Sequence, residues 1–296
     1  MLKTRILTSL ILCGIIIYVL SFAPNHLYTP LLIILAMLFV FLTGIEFSAL
    51  RWPKNQHKEL QKYPKIHLRH IYIGLFYALF VPCVYSSLKF FSMGIQKSLT
   101  LTLGWFFLFT LSSIVLVYRK QKSIEEGVNE FFNLLSGLIY LCIPAFCLIC
   151  LGHMDSYGTA SRAAFIYLCI AIVFMGDTGA YFVGLKFGKR KLLKSISPKK
   201  TIEGAVGGLL FSLFAAILIK YLLHIPISLL YLSFLSIVTC LCGMIGDLLE
   251  SAMKRANKAK DSGHLLPGHG GFLDRVDSLL LGMPVFYVLV SFYFQF

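Results

Sequence analysis

The sequence predicts an all-α, polytopic integral membrane protein, and three observations carry that expectation. Apolar side chains make up 58% of the 296 residues and the mean hydropathy is +0.81, well above the level of a soluble domain. The apolar residues come in runs of about 20, the length a helix needs to cross roughly 30 Å of hydrocarbon. The basic residues collect in every second connection between those runs. Strands are not expected, because lipid leaves an open sheet edge unsatisfied and no alternating ten-residue pattern marks a barrel.

Nine runs qualify as spans, at about 6–23, 27–50, 71–92, 98–117, 131–152, 163–185, 205–224, 227–249 and 276–296. The N-terminus and the connections after the second, fourth, sixth and eighth runs hold 23 of the 27 Lys and Arg residues. Only Lys89, Lys97, Arg162 and Lys220 fall elsewhere. The excess of Lys and Arg on cytoplasmic loops then puts the N-terminus inside and the C-terminus outside. Ser21-Phe22-Ala23 follows a basic start and an apolar core in the manner of a signal-peptidase site, but a retained first span is expected. No soluble domain has room to fold alone. The expectation is one membrane domain over residues 1–296, with N-terminal helices in 1–160 and the chemistry in the helices of 161–296.

The net charge of +14 would suggest nucleic acid in a soluble protein, but its distribution is topological and no nucleic-acid partner is expected. All eight Cys residues lie in apolar runs, and Cys147 and Cys150, though spaced as a metal or redox pair, sit within a span without a nearby His. They read as small packing residues, and no disulfide framework is implied.

An ionisable group at the centre of a lone membrane helix costs about 2.5–3.5 kcal/mol on insertion scales, so each one needs a reason. Glu46, Lys89 and Lys220 lie near span ends, where snorkelling accounts for them. Asp177 lies deeper, in the small and polar Asp177-Thr178-Gly179-Ala180-Tyr181. It faces either a cavity or a neighbouring helix through a hydrogen bond. Asp247, Glu250 and Lys254 fall at i, i+3 and i+7 on the eighth run, with Ser251 and Arg255 beside them. Such a group is either a site or a solvated helix end.

The segment that follows is the richest in chemistry. Lys258, Lys260 and Asp261 lead into Pro267, Gly268, His269, Gly270 and Gly271, a composition that favours a tight loop. Glycines let backbone N–H groups close around an anion. Asp274 and Asp277 then share a face at the start of the ninth run, flanking Arg275. One such Asp is readily a helix cap; two, with Arg275 between them, suit a Mg²⁺-polyphosphate complex. Arg275 can hold a phosphate through paired N–H groups, and Lys254, Arg255 and Lys260 can neutralise further charge.

Ser251-x-x-Lys254-Arg255, Lys260-Asp261, Gly263, Pro267 and His269-Gly270-Gly271-x-x-Asp274-Arg275-x-Asp277 resemble the signature of the phosphatidate cytidylyltransferase (CDP-diacylglycerol synthase) family. The resemblance extends to Asp177-Thr178-x-Ala180-Tyr181, to Ser197-Pro198-Lys199-Lys200-Thr201-x-Glu203-Gly204 and to Gly246-Asp247-x-x-Glu250-Ser251, covering roughly residues 175–280. Leu185 departs from it, standing where the family often has a basic residue, and Lys186 is the substitute.

The resemblance implies transfer of CMP from CTP to phosphatidic acid, giving CDP-diacylglycerol and pyrophosphate. It implies Mg²⁺ on Asp247 and Asp274, with Asp277 as a third ligand or behind them, and leaves room for a second cation and a homodimer. Lys254, Arg255 and Arg275 are then the phosphate clamps, and His269 either binds phosphate, orients a metal ligand or shapes the loop. Asp177, Ser197, Lys199, Lys200, Thr201, Glu203, Glu250, Ser251, Lys260, Gly270 and Gly271 line the substrates. A bacterial inner membrane with the site facing the cytoplasm follows from the same resemblance and the charge bias. Two alternatives stay open: a cytidylyltransferase acting on a different lipid, and an anion transporter. The transporter would need polar residues along a path through the bilayer, whereas these gather near one face.

Overall fold

The computed structural model describes residues 10–11, 13–51, 67–89, 95–118, 124–154, 163–266 and 270–294. Helices dominate, and over the described residues each of the nine apolar runs is helical. They are α1 (Cys13–Phe22), α2 (Asn25–Arg51), α3 (Leu68–Lys89), α4 (Ile95–Tyr118), α5 (Ile124–Gly137), α6 (Ile143–Leu151), α7 (Ala164–Phe187), α8 (Ile202–Leu222), α9 (Leu229–Ala256) and α10 (Leu273–Phe294). A π-helical turn, Leu138–Cys142, joins α5 to α6 just before Pro144, so the two helices cross as one apolar segment. Proline has no N–H for the preceding turn, and a wider turn absorbs that loss. Among the described residues seven segments are long and apolar enough to cross a membrane. Two shorter apolar helices, Cys13–Phe22 and Leu101–Ile114, fall on the first and fourth runs. The all-α, polytopic expectation is borne out.

The side chains also sort as a membrane demands. Large apolar residues such as Tyr181, Phe182, Leu185, Leu210, Phe214 and Leu230 are exposed on the outside of the bundle. In water so much apolar surface would drive aggregation; facing lipid it costs nothing. The interior is packed by Leu32, Tyr77, Leu141, Phe165, Leu235 and Phe286. All eight cysteines are free thiols, and Cys147 and Cys150 are buried in α6, consistent with packing roles.

Without a hydrophobic force between helices in lipid, close approach has to come from small residues. The most extensive helix pair, α7 with α8, follows this rule. A Cβ on Gly204 would lie 2.7 Å from the carbonyl oxygen of Ala180, and one on Gly208 would lie 2.8 Å from that of Gly176. The α9–α10 pair is built the same way: a Cβ on Gly246 would lie 2.6 Å from the carbonyl oxygen of Asp277. That contact sets the register of the two helices and brings Asp277 level with Asp247 and Glu250.

One element departs from the sequence expectation. Residues 191–201 form an antiparallel hairpin of β1 (Lys191–Leu193) and β2 (Ser197–Thr201), with Lys191 opposite Thr201 and Leu193 opposite Ser197. The ban on open strands holds for the hydrocarbon region only, and this hairpin connects two spans. Thr201 ends β2 and caps α8, its Oγ1 accepting from the Gly204 N–H at 3.1 Å. The Glu203 carboxylate, in the first turn of α8, accepts from the backbone N–H groups of Lys189 and Arg190 at 3.0–3.2 Å, closing the base of the hairpin. Lys220 lies at the other end of α8, where its Nζ donates to the Ile225 carbonyl at 3.0 Å.

Candidate active site

The C-terminal ends of α7 and α9, the N-terminal ends of α8 and α10, the hairpin and residues 257–266 and 270–272 come together at one end of the bundle. Helix α9 runs on past the apolar stretch to Ala256, so Asp247, Glu250, Ser251 and Lys254 share its continuous helical surface. The Asp247, Glu250 and Asp277 carboxylates converge, one oxygen from each lying within 4.8 Å of the others. Glu250 is fully buried, and the other two are partly exposed.

Cations from two directions meet this acidic centre. Lys254 pairs with Glu250 on its own helix and with Asp274 Oδ1 of α10 at 2.6 Å. Lys200, reaching in from β2, pairs with Asp247, whose Oδ1 also accepts from Ser251 Oγ at 3.3 Å. Asp277 takes part in none of these ion pairs; its Oδ1 accepts from the Ser278 N–H at 2.8 Å. Asp177 on α7 lies close enough to interact electrostatically with Asp247, Asp277 and Lys200. It also stands beside Ser278 of α10, so its place is compatible with both a site residue and a helix–helix contact.

Asp274 is occupied differently from the other acids. Besides Lys254 it accepts from the Ser262 N–H at 3.0 and 3.2 Å and from the Gly271 N–H at 3.1 Å. In this structure it is a tether for the loop. The acid grouped with Asp247 and Asp277 is Glu250, where the family resemblance implies Asp274 for the metal and Glu250 for substrate. Three carboxylate oxygens at this spacing make a donor set suited to a hard divalent cation, which prefers all-oxygen coordination. Bringing three carboxylates together, one of them the fully buried Glu250, is costly unless cations compensate, and only two ammonium groups do so in the ion pairs described. The residues present thus fit a metal.

The remaining sequence candidates divide clearly. Ser197 and Lys199 lie on β2, Lys199 exposed at its surface, while Thr201 and Glu203 are engaged in the cap and hairpin contacts described above. Arg255 is exposed at the end of α9, its Nη1 donating to the Ala259 carbonyl at 3.3 Å. Lys260 and Arg275 are exposed on the same end of the bundle, on the loop and the first turn of α10. Gly270, at φ 88°, turns back so that its carbonyl accepts from the Leu266 N–H, and buried Gly271 donates to Asp274. His269 lies outside the described residues.

Sequence reasoning missed Glu46. It does not snorkel: it is fully buried, and its carboxylate accepts from the Leu273 N–H at 2.8 Å, Ser262 Oγ at 3.2 Å and the Leu265 N–H at 3.4 Å. The available signal was an acid with no basic partner on its own apolar run; the partners are more than 200 residues away.

The sequence pattern of the Cytidylyltransferase family matches residues 3–293, nearly the whole chain. The chain belongs to that family. Among curated relatives, the phosphatidate cytidylyltransferase of Bacillus subtilis (strain 168) is 40% identical over 184 residues, covering 62% of this chain and 65% of the relative. Those of Staphylococcus saprophyticus and Staphylococcus aureus (strain COL) are each 40% identical over 150 residues, covering 50% of this chain and 58% of the relative. The alignments thus span less than two thirds of these relatives' own lengths. The family match agrees with the resemblance read from the 175–280 motifs.

Proposed function

We propose that this protein is a CTP-dependent cytidylyltransferase of membrane lipid synthesis. It transfers CMP from CTP to phosphatidic acid and releases CDP-diacylglycerol and pyrophosphate. The observation that carries this reading is the acidic centre of Asp247, Glu250 and Asp277 with Lys200 and Lys254 inserted beside it. The relatives named as phosphatidate cytidylyltransferases support the choice of substrates. The positive-inside bias supports a bacterial inner membrane with this end of the bundle in the cytoplasm, where CTP is available, and a nine-span topology. A single membrane domain, and a homodimer as the assembly, are part of the same proposal.

In this reading the nucleophile is the lipid phosphate, already an anion at neutral pH, so no strong general base is required. The barrier is repulsion between that anion and the triphosphate, which positioned cations lower. Mg²⁺, held by Asp247, Glu250 and Asp277, would supply charge neutralisation at the phosphates. Lys254 holds Glu250 and Asp274 in the free protein, and shifting from a carboxylate to a phosphate oxygen would let it follow the charge that builds on the leaving pyrophosphate. Asp274, released in that exchange, is the proposed ligand of a second cation. Lys199, Lys200, Lys260, Arg255 and Arg275 hold the triphosphate electrostatically, and the glycine-rich turn at Gly270 and Gly271 lets the loop backbone come close to its oxygens. Asp177 and Ser251 orient Lys200 and Asp247. His269 is proposed to contact phosphate from the loop.

The test is turnover of labelled CTP and phosphatidic acid by purified protein, with Mg²⁺ and with chelator. CDP-lipid is expected only with the metal. Asp247→Asn and Asp277→Asn should each abolish turnover while the protein stays folded. No CDP-lipid from any phosphatidate would overturn the catalytic reading, and wild-type turnover in either variant would remove that residue from the metal set.

A further inference from the structure

We infer that Glu46 is a positioning residue for the catalytic centre: its carboxylate ties α2 to Ser262, Leu265 and Leu273, and the segment they belong to in turn holds Asp274 and Lys254. The inference rests on the proposed cytidylyltransferase reading for its activity readout, but its geometry stands alone.

A fully buried carboxylate in a membrane helix is expensive unless donors surround it. Among the described residues the donors to Glu46 come from one short segment: Ser262 through Oγ, and the backbone N–H groups of Leu265, Phe272 and Leu273. Leu273 opens α10, so its N–H is one of the amides that a helix start leaves without an internal partner. The segment is also shaped around the carboxylate. A Cβ at Gly263 would collide with the Glu46 side chain, and one at Gly271 would lie 2.8 Å from Glu46 Oε2 and 2.8 Å from Asp274 Oδ2. A second contact joins the same helix to the same loop: the Phe39 and Phe272 rings meet edge-to-face with centroids 6.1 Å apart.

Two carboxylates thus divide the loop between them. Ser262 gives its hydroxyl to Glu46 and its N–H to Asp274; Gly271 donates to Asp274 and Leu273 to Glu46. Asp274 fixes Lys254 at 2.6 Å. Since both Glu46 oxygens accept from donors of this segment, the residue acts on the centre through the loop. The N-terminal helices therefore supply part of the order of a centre whose recognisable motifs all lie beyond residue 175.

The experiment uses the full-length protein in detergent. Glu46→Gln turns an amide NH₂ toward backbone donors, Glu46→Asp keeps the carboxyl group but shortens the reach by one methylene, and Ser262→Ala removes one donor. Hydrogen exchange in Glu46→Gln should speed up across residues 262–274, while the α7–α8 amides stay as in wild type. In the CDP-lipid assay, turnover should fall roughly 10- to 100-fold in Glu46→Gln, the span expected when buried donors lose an acceptor, and Glu46→Asp should recover part of it. Ser262→Ala on top of Glu46→Gln should cost less than it does alone, because the two side chains are coupled. Unchanged exchange at 262–274, or full turnover in Glu46→Gln, overturns the inference. If wild type makes no CDP-lipid at all, the catalytic reading fails instead, and the exchange measurement still decides whether Glu46 anchors the loop.

Discussion

Replacing Lys254 by Met should be among the most damaging single changes at this site, and its cost can be separated into stability and chemistry. The Lys254 side chain is 12% exposed and lies between Glu250, at 0%, and Asp274, at 12%. Removing it leaves two buried carboxylates without their shared cation. Breaking a buried ion pair from one side costs about 3–5 kcal/mol, because the remaining charge keeps its desolvation penalty. The neighbouring pair offers an internal control: Lys200 and Asp247 are 28% and 27% exposed, and such solvated pairs contribute about 0–1 kcal/mol. Unfolding of purified protein in mixed micelles, followed by denaturant titration, should therefore place Lys254→Met at least about 2 kcal/mol below Lys200→Met. Adding Glu250→Gln to Lys254→Met should restore part of the lost stability by removing one orphaned charge. The double variant should remain inactive, because the proposed phosphate contact is still missing. Equal unfolding midpoints for Lys254→Met and Lys200→Met would refute the reasoning, since burial would then carry no weight at this centre.

Other changes probe the scaffold. Gly204→Ala puts a Cβ 2.7 Å from the Ala180 carbonyl oxygen, so α7 and α8 must separate; a loss of about 1–3 kcal/mol is expected in the same unfolding assay. Glu203→Ala removes the acceptor for two exposed backbone amides at the base of the hairpin. Limited trypsin digestion at Lys189–Lys200 should speed up while the unfolding midpoint hardly moves; unchanged digestion would mean the hairpin is held by its strand pairing alone.

The fold was legible because the membrane imposes a length and a charge rule on every span, and each apolar run became a helix. Ends were less legible. The eighth run stops being apolar near Leu249, yet α9 continues to Ala256, carrying its polar residues to the site instead of unwinding them. The 191–201 hairpin gave no signal, because three paired residues with an irregular register show no alternation to read. In the candidate site, spacing alone put Asp274 and Asp277 on one face of α10. Which of them stands beside Asp247 depends on how α9 and α10 slide past each other, and the Gly246–Asp277 contact decides it in three dimensions. Glu46 was least accessible of all. It sits five residues from the end of α2, within easy reach of water, and only donors 216 to 227 residues away in sequence turn it inward.

The central claim is transfer of the α-phosphoryl group with its nucleoside, and the fate of the label tests it directly. CTP labelled at the α-phosphorus, incubated with phosphatidic acid, Mg²⁺ and purified protein, should deliver its label to chloroform-soluble lipid. CTP labelled at the γ-phosphorus should deliver it to pyrophosphate in equal amount. Label from the γ-phosphorus in lipid, or release of inorganic phosphate without any labelled lipid, would contradict it.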